Sequence, residues 1–239
     1  MGVVYRADRI ADGSGQVAIK VLNESCSSQP DLRERFEREA RALFALEHPN
    51  IIDVQDFGVT PTTMQPYLVM ELLDGLSLDE MVDEEKLDPM QALEVGRQLL
   101  AGLACAHAQG VLHRDLKTEN VFVVRHPGGR MQAKLLDFGL VKFVDDERWG
   151  EARKLTVAGS VMGSPAYMSP EQGTGGTMDA RSDVYSAGVV LYELITGSWP
   201  FSRDSRIEML KAHLLEPVPT LAAGRPGLSA RPELDVLLR

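Results

Sequence analysis

The sequence predicts an α+β protein: a small antiparallel sheet with one helix over residues 1–72, then a larger, mainly helical part over 73–239. Three observations carry this. Strand-like runs crowd before residue 73, a single amphipathic helical pattern interrupts them, and two long helical patterns dominate the remainder of the chain.

Residues 16–23 are β-prone and follow the turn-like Asp12-Gly13-Ser14-Gly15, so residues 1–7 are their natural hairpin partner. After Pro30 and Asp31, the apolar residues Leu32, Phe36, Ala40 and Leu43 recur at helical spacing, and the pattern stops before His48-Pro49. Two further strand-like runs, 51–57 and 67–72, flank the turn-rich Thr60-Pro61-Thr62-Thr63. Asp88 is placed to cap a helix that has Pro89 at its first position, Leu93, Gly96, Leu100, Leu103 and His107 on one face, and Gly110 at its end. A second helix, over about residues 181–196, is so evenly apolar that it should be buried on all sides. The rest of this half reads as helical with long loops.

Composition narrows the function. The 239 residues hold 25 Lys and Arg against 35 Asp and Glu, a formal charge of −10 that disfavours nucleic acid and anionic membranes as partners. The longest apolar run, 184–195, carries Ser186 and Glu193 and is shorter than the roughly 20 residues that span a bilayer. Cys26 and Cys105 lie far apart with no paired spacing, and no signal peptide is recognisable, so a cytoplasmic setting is expected. His48, His107, His126 and His213 do not cluster with each other or with the cysteines as metal ligands would. Seven acidic residues between Asp74 and Asp88 read first as a solvated face and second as a surface for basic substrates.

Three short motifs then occur in order: Val17-Ala18-Ile19-Lys20, His113-Arg114-Asp115-Leu116-Lys117-Thr118-Glu119-Asn120 and Asp137-Phe138-Gly139. Phosphoryl transfer consists largely of positioning and charge neutralisation, so it needs a cation on the phosphates, oxygen ligands for magnesium and a base near the acceptor hydroxyl. Lys20, on a predicted strand, can supply that cation. Taken singly, Lys20 reads as a surface charge and the aspartates as turn residues.

With Met1-Gly2-Val3-Val4-Tyr5 as the tail of a glycine-rich loop and Ser169-Pro170-Glu171 further on, the set resembles the protein-kinase family over essentially the whole chain. The stretch from Gly163 to Gln172 is closest in wording to bacterial, eukaryotic-like (Hanks-type) serine/threonine kinases. The resemblance implies a bilobal kinase-like fold in one catalytic domain, with a small lobe (1–72) lacking its first strand and a large lobe (73–239) lacking its last helices. It implies ATP with Mg2+, or Mn2+, as cofactors and transfer to serine or threonine hydroxyls of proteins. Self-association for trans-autophosphorylation and a membrane anchor outside this chain are compatible with it. Small-molecule kinases generally lack a segment ending in Pro-Glu, so Pro170-Glu171 counts against them. The competing reading is a catalytically impaired fragment or pseudokinase that acts as a binding module.

Residue by residue, the resemblance makes Asp115 the residue that accepts or orients the acceptor hydroxyl's proton, Asn120 and Asp137 the magnesium ligands and Lys117 a γ-phosphate contact. It pairs Lys20 with Glu39. Gly2, Val4, Ala18, Met70, Phe122 and the main chain of Glu71 and Leu73 fall at the nucleotide, although plain core is as good a reading of Val4 and Ala18. His113 should pack beneath Phe138. Arg114 and Lys142 are placed to grip a phosphate on Thr156, or second on Ser160, with an ordinary loop threonine as the simpler alternative. Thr118 stands where the family usually has proline and is expected to be without consequence.

Overall fold

The structure, a computed structural model, describes residues 2–10, 15–22, 30–84, 87–138 and 165–225. Strands β1 (Val3–Asp8), β2 (Gln16–Val21), β3 (Val54–Val59) and β4 (Pro66–Glu71) form an antiparallel sheet in the order β1-β2-β4-β3. Helix α1 (Pro30–Phe44) lays Phe36, Ala40 and Leu43 into the core shared with Leu22, Val54 and Leu68. The small lobe thus follows the apolar pattern of the sequence closely.

The larger lobe departs from an all-helical reading. A three-stranded sheet runs β5 (Gly75–Ser77), β6 (Val121–Arg125), β7 (Met131–Leu135) in that order. Its β-branched Val121, Val123 and Val124, followed by the Gly128-Gly129 turn, are an ordinary hairpin signal. Helix α2 (Leu78–Glu84) falls within the acidic stretch, and α3 (Pro89–Ala108) starts as the sequence predicts. Asp88 accepts from Met90 N at 2.7 Å, while Gln91 Oε1 accepts from Asp88 N at 3.1 Å, closing a capping box.

The buried face of α3 is not the expected one. It comprises Ala92, Val95, Gly96, Gln98, Leu99, Gly102, Leu103 and Ala106, whereas Leu100 is 42% exposed. The small residues decide the rotation, because the helix approaches its neighbours closely there: a Cβ on Gly102 would lie 2.9 Å from Leu135 Cδ1 and 3.0 Å from Asn50 O.

Beyond this lie α4 (Pro170–Thr174), α5 (Ala180–Thr196), α6 (Arg206–Leu215) and α7 (Leu221–Gly224). Helix α5 is buried on all sides from Val189 to Thr196, but its first turns expose Arg181 and Val184. The lobes are stitched where Leu135 N donates to Asn50 O at 2.9 Å and Ile52 N donates to Leu135 O at 3.0 Å. Among the described residues, no helix is long and apolar enough to cross a membrane.

Candidate active site

The loop from His113 to Asn120 lies between α3 and β6, and its backbone is fixed from below by one carboxylate. Asp183, 2% exposed in the first turn of α5, accepts from His113 N and Arg114 N, both at 2.8 Å, and lies 2.7 Å from His107 Nε2. A buried carboxylate satisfied by several donors is a strong anchor, and removing it would orphan every one of them. The expected packing of His113 is present. Its ring is fully buried, 4.7 Å from Phe138 between centroids, with Nε2 2.8 Å from Leu136 O. Burial holds the His113 pKa below the usual imidazole range despite the opposing fields of Asp183, Asp115 and Asp137, so it serves as a neutral packing group.

Asn120, at the end of a 3-10 turn (Thr118–Asn120), reaches back to Asp115. Its Nδ2 donates to Asp115 O at 2.8 Å and to Asp115 Oδ2 at 3.3 Å. With the amide NH2 spent on Asp115, the remaining polar group of the Asn120 side chain is its oxygen. Asp137 follows β7 with φ 53°, and Arg114 has φ 64°; both are non-glycine residues in left-handed backbone, a conformation that concentrates at functional sites. A carboxylate and an amide oxygen are the hard-oxygen kind of donor that suits Mg2+, and the chain beside Asp137 is tied to Asn120 where Leu136 N donates to Asn120 O at 2.8 Å.

Lys20 does not meet Glu39. Its ammonium is ion-paired with Asp137 Oδ1, and Glu39 Oε1 is 3.3 Å from Arg38 Nη2. The expected Lys20–Glu39 pair is therefore not formed in this structure. The physical reason is competition: Lys20 and Glu39 each have another opposite charge within reach. Lys117 is likewise engaged, 3.2 Å from Glu119 Oε1.

Around the nucleotide positions, strand register sets Ala18 opposite Met70, and Val4 opposite Lys20. Ala18 is buried and Val4 is 58% exposed; Phe122 lies on β6, half-buried, opposite Ser77 and with its ring beside Gly75. The Glu71 amide donates to Asp53 O at 3.0 Å, so it is not free to read a base, while the Glu71 side chain bonds Lys134 Nζ at 2.6 Å. Gly2 approaches the Val21 carbonyl so closely that any Cβ would collide with it, which gives this glycine a packing reason of its own. A cavity of about 620 Å³ between α3 and the β6–β7 turn is lined by none of these residues. Gly139, Lys142, Thr156, Ser160 and Ser164 lie outside the described residues.

The remaining histidines have local structural partners: His48 Nδ1 accepts from Asn50 N, His126 Nε2 lies 2.7 Å from Gln132, and His213 Nδ1 lies 2.6 Å from Tyr185 Oη. Two residues that motif reading passed over are central here. Asp183 and Glu193 are acidic residues on an otherwise apolar helix, and that mismatch is the signal by which they could have been found.

A two-lobed fold in which Lys20 of the small sheet meets Asp137 of the larger lobe defines the class, and the chain belongs to the protein kinase domain family, whose model matches residues 1–225. Among curated proteins it is similar to the serine/threonine-protein kinase Pkn1 of Myxococcus xanthus, 40% identical over the whole chain and 33% of that protein. It is also similar to the serine/threonine-protein kinase PknB of Mycobacterium tuberculosis, 38% identical over 93% of the chain and 34% of that protein. The chain thus spans about a third of these relatives' length. Among solved structures, the Mycobacterium tuberculosis PknI kinase domain superposes with a TM-score of 0.72 at 27% identity, covering 100% of this chain and 83% of that one. These relatives agree with the bacterial serine/threonine character read from residues 163–172.

Proposed function

We propose that this chain transfers the γ-phosphate of ATP to serine and threonine hydroxyls of proteins. The observation that carries the reading is the Asp115–Asn120 pair, bonded at 2.8 and 3.3 Å on a loop anchored by Asp183. The acceptor oxygen bonds to the γ-phosphorus, the bond to the β–γ bridging oxygen breaks, and ADP departs with that electron pair. Asp115 takes the proton from the hydroxyl. Lys117 and Lys20 are the cations that would meet the phosphates on leaving Glu119 and Asp137. Asn120 and Asp137 would hold Mg2+, or Mn2+, which when bound would neutralise phosphate charge.

Lys20 and Asp137 are complementary to this chemistry in opposite senses: one attracts phosphate, the other a metal cation. Their mutual pair must open for both to serve. Val4, Ala18, Met70 and Phe122, with the Leu73 main chain and the Glu71 carbonyl, form the adenine slot. Thr156, with Ser160 second, is the autophosphorylation site gripped by Arg114 and Lys142, reached in trans by a second copy. Protein substrates, a cytoplasmic setting and the absence of a nucleic-acid partner complete the proposal.

A catalytically impaired binding module is the second reading, and the engagement of Glu39 by Arg38 favours it. Transfer of radiolabelled phosphate from ATP to a generic basic protein separates the two. Activity in the wild type that disappears in Asp115→Asn is the expected result; near-normal turnover in Asp115→Asn overturns the mechanism.

A further inference from the structure

Thr118, expected to be inert, is fully buried, and its Oγ1 lies 2.9 Å from Tyr167 Oη. The direction of that bond comes from proton counting. Tyr167 has one hydroxyl proton, which it donates to Glu193 Oε2 at 2.6 Å, and it accepts from Trp199 Nε1 at 3.0 Å. The bond to Thr118 is therefore donated by Thr118, whose other acceptors, Asp79 Oδ1 at 3.4 Å and Glu119 Oε2 at 3.5 Å, are more distant. Proline at this position has no hydroxyl and could make none of these bonds.

A second tie lies on the other side of Asp115, where Gln172 Nε2 donates to Arg114 O at 2.9 Å. Asp115 is thus held between residues 114 and 118, each fastened to the segment that runs from Tyr167 into α4. The two segments pack closely, leaving a gap of about 10 Å³, no larger than one water, among Arg114, Asp115, Lys117, Tyr167 and Met168. We infer that Thr118 is a positioning residue for phosphotransfer: its hydroxyl, through Tyr167 and Glu193, sets the spacing between Asp115 and the segment that runs from Tyr167 into α4. The inference rests on the kinase reading above.

The network also has a titrating end. Glu193 on α5 is faced by Asp79 from α2, by Glu119 of the catalytic loop with its partner Lys117, and by Tyr167 and Trp199. Burial, reinforced by Asp79 and Glu119, pushes the Glu193 pKa up to about 7 against the hydrogen bonds from Tyr167 and Trp199. Above that pH the protons point from Thr118 to Tyr167 to Glu193. Below it, Glu193 holds a proton to donate to Tyr167, whose own proton turns to Thr118, and the Thr118 proton turns to Asp79. The direction of the chain reverses with little movement of its heavy atoms.

The test uses the full chain with Thr118→Val, which deletes the hydroxyl at nearly constant shape, and Thr118→Ser, which restores it. Thr118→Val should lower kcat roughly three- to tenfold with the KM for ATP unchanged, as loss of one positioning hydrogen bond implies, and Thr118→Ser should recover it. A readout independent of activity is Trp199 emission against pH in a Trp149→Phe background, with an expected midpoint near 7. Thr118 makes Tyr167 a better donor to ionised Glu193, so Thr118→Val should raise that midpoint. Wild-type kcat in Thr118→Val, or a loss that serine fails to restore, overturns the positioning role. An unmoved midpoint overturns the tie itself. A wild type that transfers no phosphate overturns the kinase reading and the catalytic consequence with it, and is told apart by the emission arm.

Discussion

Asp183 and Lys20 both touch the candidate site, Asp183 through the backbone beside Asp115 and Lys20 through Asp137, yet their surroundings differ. Asp183 is 2% exposed and meets two backbone amides and an imidazole at 2.7–2.8 Å. Lys20 meets Asp137, whose side chain is 42% exposed, while Glu39 is occupied by an arginine that is itself 70% exposed. The helical-lobe half of the site is held by several buried bonds that converge on one carboxylate. The small-lobe half is held by single ion pairs with one solvated partner, Asp137 at 42% and Arg38 at 70% exposed, against Lys20 at 11% and Glu39 at 22%, so each has one contact to exchange where Asp183 has three. The difference assigns preorganisation to the catalytic loop and adjustability to the Lys20 side.

Breaking the fixed half should have the largest effect. Asp183→Ala orphans the His113 and Arg114 amides and the His107 ring together, and should cost about 3–5 kcal/mol of stability with loss of phosphotransfer. Denaturant melts check this, and a loss below about 1 kcal/mol would mean that the loop holds itself.

Glu193 sharpens the same half through pH. Its folded pKa, about 7, lies above the unfolded value near 4.5, so the native state binds more protons between those values. Stability therefore falls as pH rises from about 4.5 to 7, and ionised Glu193 costs at most about 3 kcal/mol at neutral pH and above. Glu193→Gln should flatten that decline in melts taken across the pH range. A decline unchanged in the glutamine variant would place its origin elsewhere.

The adjustable half should behave in the opposite way. Lys20→Met should abolish phosphotransfer with a much smaller loss of stability than Asp183→Ala, because methionine keeps the buried apolar stem of Lys20, 9% exposed, and Asp137, 42% exposed, is left to water. Kinetics and melting on the same preparation test whether function and stability separate here, as they should not at Asp183. Arg38→Ala releases Glu39 and should have the smallest effect, within about 0.5 kcal/mol on stability. It should lower the KM for ATP by roughly twofold if Lys20 then turns to Glu39, since a shift of about 0.4 kcal/mol is about a factor of two. An unchanged KM would show that Arg38 does not compete for Glu39.

Strand and helix patterning in residues 1–72, the capped start of α3, and the joint spacing of Asp115, Asn120 and Asp137 were all legible in the chain. These are local matters: side-chain period, backbone preference and short sequence separation set them. The packing of His113 under Phe138 was reachable only through family resemblance, because 25 positions separate the two rings in sequence. The partner of Lys20, the exposed side of Leu100, the anchoring role of Asp183 and the engagement of Thr118 were decided by tertiary structure alone. A charge or hydroxyl carries no mark of its partner in the sequence; the partner is whichever group the fold brings within about 3 Å, in competition with every other group it brings there.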